Sequence, residues 1–138
     1  MIRRPRPHRD ERGTATAFVV GMAVVLLACA GLVVDGGTAL NARMRLADDV
    51  EQAARAGAQE IDVATLRDSG DLVLDRGKAE ERARVYLLGR GYTVGSVHAD
   101  QDTVQVSATY QEPTRLLSLI NVNSFTVEAS ATAEAVTE

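Results

Sequence analysis

The stretch GLVVDGGTALNARMRL, residues 31–46, places an acid and two glycines directly after a long apolar run and then resumes a helical pattern. No charged residue occurs between Arg12 and Asp35, a gap of 22 residues. At about 1.5 Å per residue, a helix of that length reaches roughly 33 Å, slightly more than a hydrocarbon core of about 30 Å. The sequence therefore predicts a transmembrane helix over residues 14–34, with Asp35 at the point where the helix leaves the membrane.

The charges on either side of the apolar run predict its orientation. Residues 1–13 carry five arginines against two acids, a net charge of +3, whereas the chain from Asp35 onward has a net charge of −7. Strongly apolar residues in the run contribute roughly −3 to −6 kcal/mol to membrane insertion. Because basic segments are retained on the cytoplasmic side, we expect a single-pass protein with a basic cytoplasmic tail and an acidic body outside.

Other interpretations of the apolar run remain open. A cleaved secretory signal has the same basic start, and Ala28-Cys29-Ala30 offers a small-x-small cleavage site, although residues 31–34 stay apolar where a mature protein would turn polar. The residues 26–29 also resemble a lipobox, with an atypical leucine at the second position. A buried helix of a soluble protein is disfavoured because the run is apolar on every face. Cys29 is the single cysteine, so no internal disulfide forms.

The pattern after Asp35 predicts that the helix continues through residues 35–62. Gly36 and Gly37 each cost roughly 1 kcal/mol against alanine in a helix, so they permit a bend without ending the helix. We expect helical structure to resume at once. Small and apolar residues then recur at three- and four-residue steps, with Val50 or Glu51 at the middle step. This predicted helix-packing stripe comprises Leu40, Met44, Ala47, Ala54, Ala58 and Ile61.

The remaining residues, 63–138, predict a small α+β head outside the membrane. After a polar linker over residues 61–71, Asp75 is placed to cap a helix over residues 76–90, which Gly91 is placed to end. Ala79, Ala83, Tyr86 and Leu87 form the apolar stripe of this second helix.

Three strands are predicted from alternating residues. Residues 92–99 and 103–110 flank an acidic turn and predict a hairpin, and residues 125–135 alternate apolar with polar side chains. Residues 112–122 fit a short helix or turn between the last two strands. Short connections favour an antiparallel sheet, whose strand order stays open. The predicted fold class is thus α+β, with a long N-terminal helix, a second helix and a three-stranded antiparallel sheet.

The sequence predicts no catalytic, metal or cofactor site. The chain has two histidines, His8 in the basic tail and His98 in a predicted strand. Two histidines in separate segments give little basis for a histidine metal site or a Ser/His/Asp triad. We interpret His98 as a strand surface residue. The acidic pairs lie in separate elements without calcium-loop spacing, and DGGTA lacks the strand–GxGxxG–helix context of a nucleotide site. We therefore expect no enzyme activity, no nucleic-acid partner and no small-molecule substrate.

Taken together, several segments resemble one known family. ERG before the span, VVDGGTAL at its outer end and RMRLADDVEQAARAGAQE beyond it look like the N-terminal half of TadE/TadG-like proteins of tight-adherence (Tad, or Flp) pilus systems. The matching residues are Gly13, Asp35-Gly36 and residues 53–58. The resemblance implies a pseudopilin or minor-pilin-like subunit with a pilin-like fold in the bacterial cytoplasmic membrane. Its implied partners are the membrane, other pilus subunits and the assembly platform.

One feature departs from the pilin pattern. Pilin-like proteins that are processed are cut after a glycine and usually carry a glutamate at the fifth mature position. If the chain were cut between Gly13 and Thr14, the fifth residue would be Phe18, which favours an uncleaved, TadG-like or accessory role. An alternative hypothesis is a membrane-anchored extracytoplasmic binding or sensor module unrelated to pili. An envelope enzyme is the weakest hypothesis.

Overall fold

The computed structural model describes residues 11–135, and side chains from residue 13 onward. His8 and most of the basic tail lie outside the described residues. The described chain forms α1 (Glu11–Ala58), α2 (Val63–Ser69), α3 (Arg76–Leu88), β1 (Thr93–Ala99), β2 (Thr103–Pro113), a 3-10 helix (Leu117–Ile120) and β3 (Ser124–Glu134). The predicted α+β class, with its long first helix and three strands, is confirmed.

The longest element, α1, is a single helix of 48 residues. It passes through Asp35, Gly36 and Gly37 without a break, so the prediction of a continuous helix is confirmed. A β-carbon built on either glycine would meet no atom within 4 Å, and the Thr38 hydroxyl donates to the Asp35 carbonyl at 2.8 Å. The helix ends at Ala58, four residues before the predicted end, and Ile61 instead forms an isolated bridge with Leu74.

The polar segment after α1 contains a short helix that the sequence reading missed. The Asp62 carboxylate accepts hydrogen bonds from the Ala64 amide at 3.0 Å and the Thr65 hydroxyl at 2.8 Å, which caps α2 at its start. Gly70 ends the helix in the left-handed conformation, with φ of 79°. None of the residues of α2 is buried, and the segment was wrongly predicted to be a polar linker.

Helix α3 agrees closely with the second helix that the sequence predicts. The Asp75 carboxylate accepts from the Lys78 amide at 3.2 Å and caps α3. The buried residues of α3 are Ala79, Ala83 and Leu87. Gly91, with φ of 80°, lets the chain turn toward β1 two residues after the C-cap at Gly89.

The three strands form one antiparallel sheet in the order β1-β2-β3. Pairing of β2 with β3 is regular from Thr103 opposite Glu134 to Pro113 opposite Ser124. Pairing of β1 with β2 is interrupted by a bulge between Val94 and Val97. One face of the sheet is covered by the second half of α1 and by α3. The buried core combines residues of all three elements: Leu46, Val50, Ala53 and Ala54 of α1, Ala79, Ala83 and Leu87 of α3, and Val104, Val106 and Ala108 of β2.

Candidate functional site around Asp35

The central feature of the junction is the buried carboxylate of Asp35. Asp35 has no exposed surface although it follows the apolar run directly. Its two oxygens accept hydrogen bonds from three consecutive backbone amides, those of Arg115 at 3.0 Å, Leu116 at 2.9 Å and Leu117 at 2.7 Å. These amides belong to residues 114–123, the connection between β2 and β3, which we call the junction loop. Asp35 therefore joins α1 to the far end of the sheet.

The hydrogen bonds hold Asp35 in its charged form. Burial acts to raise the pKa of this carboxyl, but the amides of Leu117, Arg115 and Leu116 together with the positive charge of Arg115 outweigh burial and hold the pKa below the ordinary value of 3.8. The three amides stand at the start of the 3-10 helix, where backbone N–H groups lack partners within the helix. The carboxylate thus supplies the acceptors that this short helix needs.

Gly31 gives the junction loop room to approach α1. It is buried, and it lies one turn before Asp35 on the same face of the helix. A β-carbon at Gly31 would lie 3.2 Å from Cδ2 of Leu117 and 3.3 Å from Cβ of Leu116, closer than ordinary contact. Because Gly31 has no side chain, the junction loop can contact α1 within the predicted span.

The junction loop is also held by its own hydrogen bonds. The Thr114 hydroxyl donates to the Val122 carbonyl, and the Thr114 amide donates to the Asn123 carbonyl at 3.0 Å. The Val122 amide donates to the Leu117 carbonyl at 3.1 Å, across a left-handed Asn121 with φ of 68°. Because asparagine tolerates this conformation better than most residues, the turn is compatible with the sequence.

The packing face of α1 differs from the predicted stripe. Ala54 and Ala58 are buried as expected, but Leu40 and Met44 are 63% and 58% exposed, and Ala47 is exposed as well. The face that packs on the head is rotated around α1 relative to Leu40 and Met44 and comprises Gly31, Asp35, Ala42, Leu46, Val50, Ala53 and Gly57. The prediction took its phase from Leu40 and Met44, whereas the sheet and α3 select the face that carries Leu46 and the small residues. Val50, which the prediction offered together with Glu51 at the middle step, is buried as well, and packing of another helix on Leu40, Met44 and Ala47 stays a prediction.

The first half of α1 is long and apolar enough to cross a membrane by length and composition. An 18-residue window within Gly13–Ala58 reaches a mean hydropathy of 2.8 and is only 6% buried. Among the residues described, this is the one helix that meets the criterion. Gly13 and Thr14, the possible processing site, lie within this helix, and both residues are exposed. Cys29 is exposed within the apolar segment.

A second polar contact, unnoticed in the sequence, lies farther along α1. The Asp49 carboxylate accepts a hydrogen bond from the Tyr92 hydroxyl at 2.6 Å and pairs with Arg90 at 2.5 Å. Burial and the bond to Asp49 raise the pKa of Tyr92 to about 12. The Tyr92 ring packs edge-on against Tyr110, with centroids 5.7 Å apart. Asp49 lies 43 residues from Tyr92, so no local pattern signals this contact.

His98 lies on the exposed surface of β1, as predicted. Its Nε2 is 3.4 Å from the Asp100 carboxylate, and its Nδ1 is 3.9 Å from that of Glu80. The Glu80 carboxylate also accepts from the Ala99 amide at 3.0 Å, which accounts for its position beside β1. Within residues 11–135, no three His, Cys, Asp or Glu side chains come together as a possible metal site.

Comparison with known proteins bears on the segment that contains this junction. Residues 13–60 match the family described as putative Flp pilus-assembly TadE/G-like. The predicted resemblance is confirmed for these residues, which make up about a third of the chain and include Asp35 and nearly all of α1. No curated protein and no solved structure matches the chain. The matched TadE/G-like family is described as a pilus-assembly component and is not a known class of enzyme.

Proposed function

We propose that the chain is a membrane-anchored pseudopilin or minor-pilin-like subunit that takes part in assembly of a Tad/Flp-type pilus or a related secretion apparatus. The observation that carries the proposal is that the two halves of α1 have different surroundings. Its first half is apolar and exposed, and its second half packs on the sheet as part of the core of the head. Together with the TadE/G-like match over residues 13–60, this supports a subunit whose single helix serves both anchoring and assembly.

The proposed orientation places the N-terminus in the cytoplasm and the head outside the cytoplasmic membrane. Large side chains of the apolar half, such as Leu27 at 72% and Val33 at 76%, are exposed to an extent that favours lipid over water as their surroundings. The five arginines of residues 1–13 favour retention of the tail in the cytoplasm.

The burial of Asp35 supports an uncleaved accessory subunit. Cleavage between Gly13 and Thr14 would leave Phe18 at the position where a carboxylate could neutralise the N-terminal amine of a neighbouring subunit. The next acid along the chain is Asp35, and both of its oxygens already accept hydrogen bonds from the junction loop. Asp35 is therefore not free to take over that role.

The exposed part of the predicted stripe is our candidate surface for another subunit. Leu40 and Met44 are 63% and 58% exposed and lie outside the buried core around Leu46, and Leu40 borders a groove between α1 and residues 125–128 of β3. They continue the apolar surface of the span beyond Asp35. Small neighbours such as Ala47 allow another helix to approach this side closely, as helix pairs in membranes often do.

Deletion of the gene tests the proposed function. We expect the deletion strain to lose pili in electron micrographs, the wild-type chain to restore them, and other pilus subunits to co-purify with the chain from detergent extracts. Normal piliation together with no co-purifying pilus subunit would overturn the proposal.

A matched pair of variants tests the proposed surface. Met44→Glu introduces a charge on the exposed apolar side of α1, whereas Gln52→Glu introduces the same charge on its exposed polar side. Neither residue contributes to the core, so both variants should fold. We expect Met44→Glu alone to weaken co-purification and piliation; equal behaviour of the two variants would contradict this surface.

A further inference from the structure

The junction loop exposes large apolar side chains beside the predicted membrane span. Leu119 is 86% exposed and Ile120 is 56% exposed, and Leu116 and Val122 are partly exposed nearby. Leu117, the one buried leucine of the loop, contacts the position of Gly31. A short loop with this many exposed apolar side chains is unusual on a surface that faces water.

The depth of the loop follows from its contacts with α1. Its amides bind Asp35, and Leu116 and Leu117 approach Gly31, which lies four residues earlier and hence about 6 Å closer to the membrane centre along the helix. At this level α1 itself exposes Leu32 and Val33. The apolar surface of the loop is therefore continuous in depth with that of the span.

We propose that residues 116–122 of the junction loop insert into the outer interfacial region of the bilayer beside α1. This inference rests on the proposed membrane anchoring. Lipid is the favoured occupant because the loop lies at the depth of the span and because no acidic residue occurs between Glu112 and Glu128. Arg115, which is exposed, adds a positive charge to the loop, and such a charge suits a position at the level of the lipid headgroups.

The arrangement explains how a carboxylate stands so close to the apolar run. The loop covers Asp35 on the side facing the head, and three amides satisfy its charge, so Asp35 presents no surface to lipid. The head is then attached to the membrane at two places, α1 and the loop. Two attachments restrict the tilt of the head relative to the bilayer.

Site-directed fluorescence of the full-length chain in phosphatidylcholine vesicles tests this insertion. In a Cys29→Ala background, a polarity-sensitive fluorophore is attached at Leu119→Cys or, as a second position, Ile120→Cys. Both side chains are exposed, so neither change should affect folding. Leu26→Cys provides a control within the span and Thr132→Cys a control on exposed β3. Quenching is measured with nitroxide-labelled lipid and with aqueous iodide.

We expect lipid nitroxides near the headgroup to quench the probes at Leu119→Cys and Ile120→Cys more strongly than nitroxides deep in the bilayer do. The probe at Thr132→Cys should respond to iodide alone. Loop probes quenched by iodide but not by lipid, with Leu26→Cys quenched by lipid, would overturn the insertion while leaving the anchor intact. Loop probes shielded from both quenchers and cross-linked to a second chain would also overturn it, in favour of a protein contact. Lack of lipid quenching at Leu26→Cys would instead contradict the anchoring itself.

Discussion

The carboxylate of Asp35 and the backbone amide of Leu117 are joined by a hydrogen bond of 2.7 Å across 82 residues of sequence. This bond and its two neighbours connect the last turn of the apolar run to the connection between β2 and β3. The head is thus positioned on α1 at two levels, by the apolar core around Leu46 and by the junction loop at Asp35.

Replacing Asp35 should loosen the junction loop selectively. Asp35→Ala removes the acceptors of three amides, and one ordinary hydrogen bond corresponds to on the order of tenfold in an opening equilibrium. We therefore expect the amides of Arg115, Leu116 and Leu117 to exchange with deuterium at least about tenfold faster, in detergent-solubilised full-length protein. Amides in the centre of β2, such as that of Val106, serve as the internal reference. Unchanged exchange at all three loop amides would contradict the assigned role of Asp35.

The same carboxylate should make the stability of the fold depend on pH in the acidic range. Because its pKa in the folded protein lies below 3.8, ionised Asp35 stabilises the fold above that value, and this contribution is lost as the pH falls through the lower folded pKa. Thermal unfolding of the wild type and of Asp35→Asn should therefore converge as the solution is acidified below pH 3.8. Asp62 and Asp75, whose pKa values are also lowered, are present in both proteins and cancel in the comparison. A constant difference down to the lowest pH would count against a titrating Asp35.

Gly57 and Gly36 provide a matched test of close packing between α1 and the head. A β-carbon at Gly57 would lie 2.8 Å from the Ala79 carbonyl oxygen and 3.1 Å from Cγ1 of Val104, whereas one at Gly36 would meet nothing. Both changes to alanine gain the same helix propensity, roughly 1 kcal/mol. We expect Gly57→Ala to be less stable than Gly36→Ala by about 1–3 kcal/mol because of overpacking. Urea unfolding monitored by the tyrosines, which all lie in the head, measures the difference; equal stability would contradict the close approach.

Leu46 and Met44 distinguish the observed packing face of α1 from the predicted stripe. Leu46 is fully buried, and Leu46→Ala should destabilise the head by about 2–5 kcal/mol. Met44 is 58% exposed, and Met44→Ala should change stability by no more than about 0.5 kcal/mol. The same urea titration gives both values. A larger loss for Met44→Ala than for Leu46→Ala would contradict the observed packing face.

Tyr92 should make the head sensitive to alkaline pH. Its pKa is raised from 10.0 to about 12, so the protonated phenol is favoured in the folded state. The stabilisation is fully present below pH 10.0 and is lost as the pH rises toward about 12. Tyr92→Phe removes this titration together with one hydrogen bond to Asp49, at a cost of roughly 1–3 kcal/mol near neutral pH. Thermal melts should show a steeper alkaline decline for the wild type; parallel curves would contradict the assignment.

Local sequence patterns correctly predicted those helices, caps and strands that depend only on residues within the same element. The Asp75 cap, the buried alanines of α3, the hairpin around residues 100–102 and the alternation along β3 all follow from spacing within one element. The helix could be predicted to continue through Gly36 and Gly37 because the free-energy cost of two glycines in a helix is smaller than the favourable free energy of the helical residues on either side.

Two of the features that were missed depend on distant contacts. The phase of the α1 stripe is selected by the sheet and α3, and periodicity alone selected Leu40 and Met44 and left out Leu46. The partners of Asp35 are backbone amides 80 to 82 residues away, which no side-chain motif marks. The exposed helix α2 has no stripe, although Asp62 and Gly70 carry its start and stop signals.

The mass of the mature protein extracted from membranes tests most directly whether α1 remains one helix shared by anchor and head. The account predicts a membrane-bound chain that retains residues 1–13 and the whole of α1. Loss of residues 1–13 would show processing at Gly13–Thr14 and contradict the uncleaved form. Recovery of a soluble protein that lacks residues 1–30 would contradict the membrane anchor.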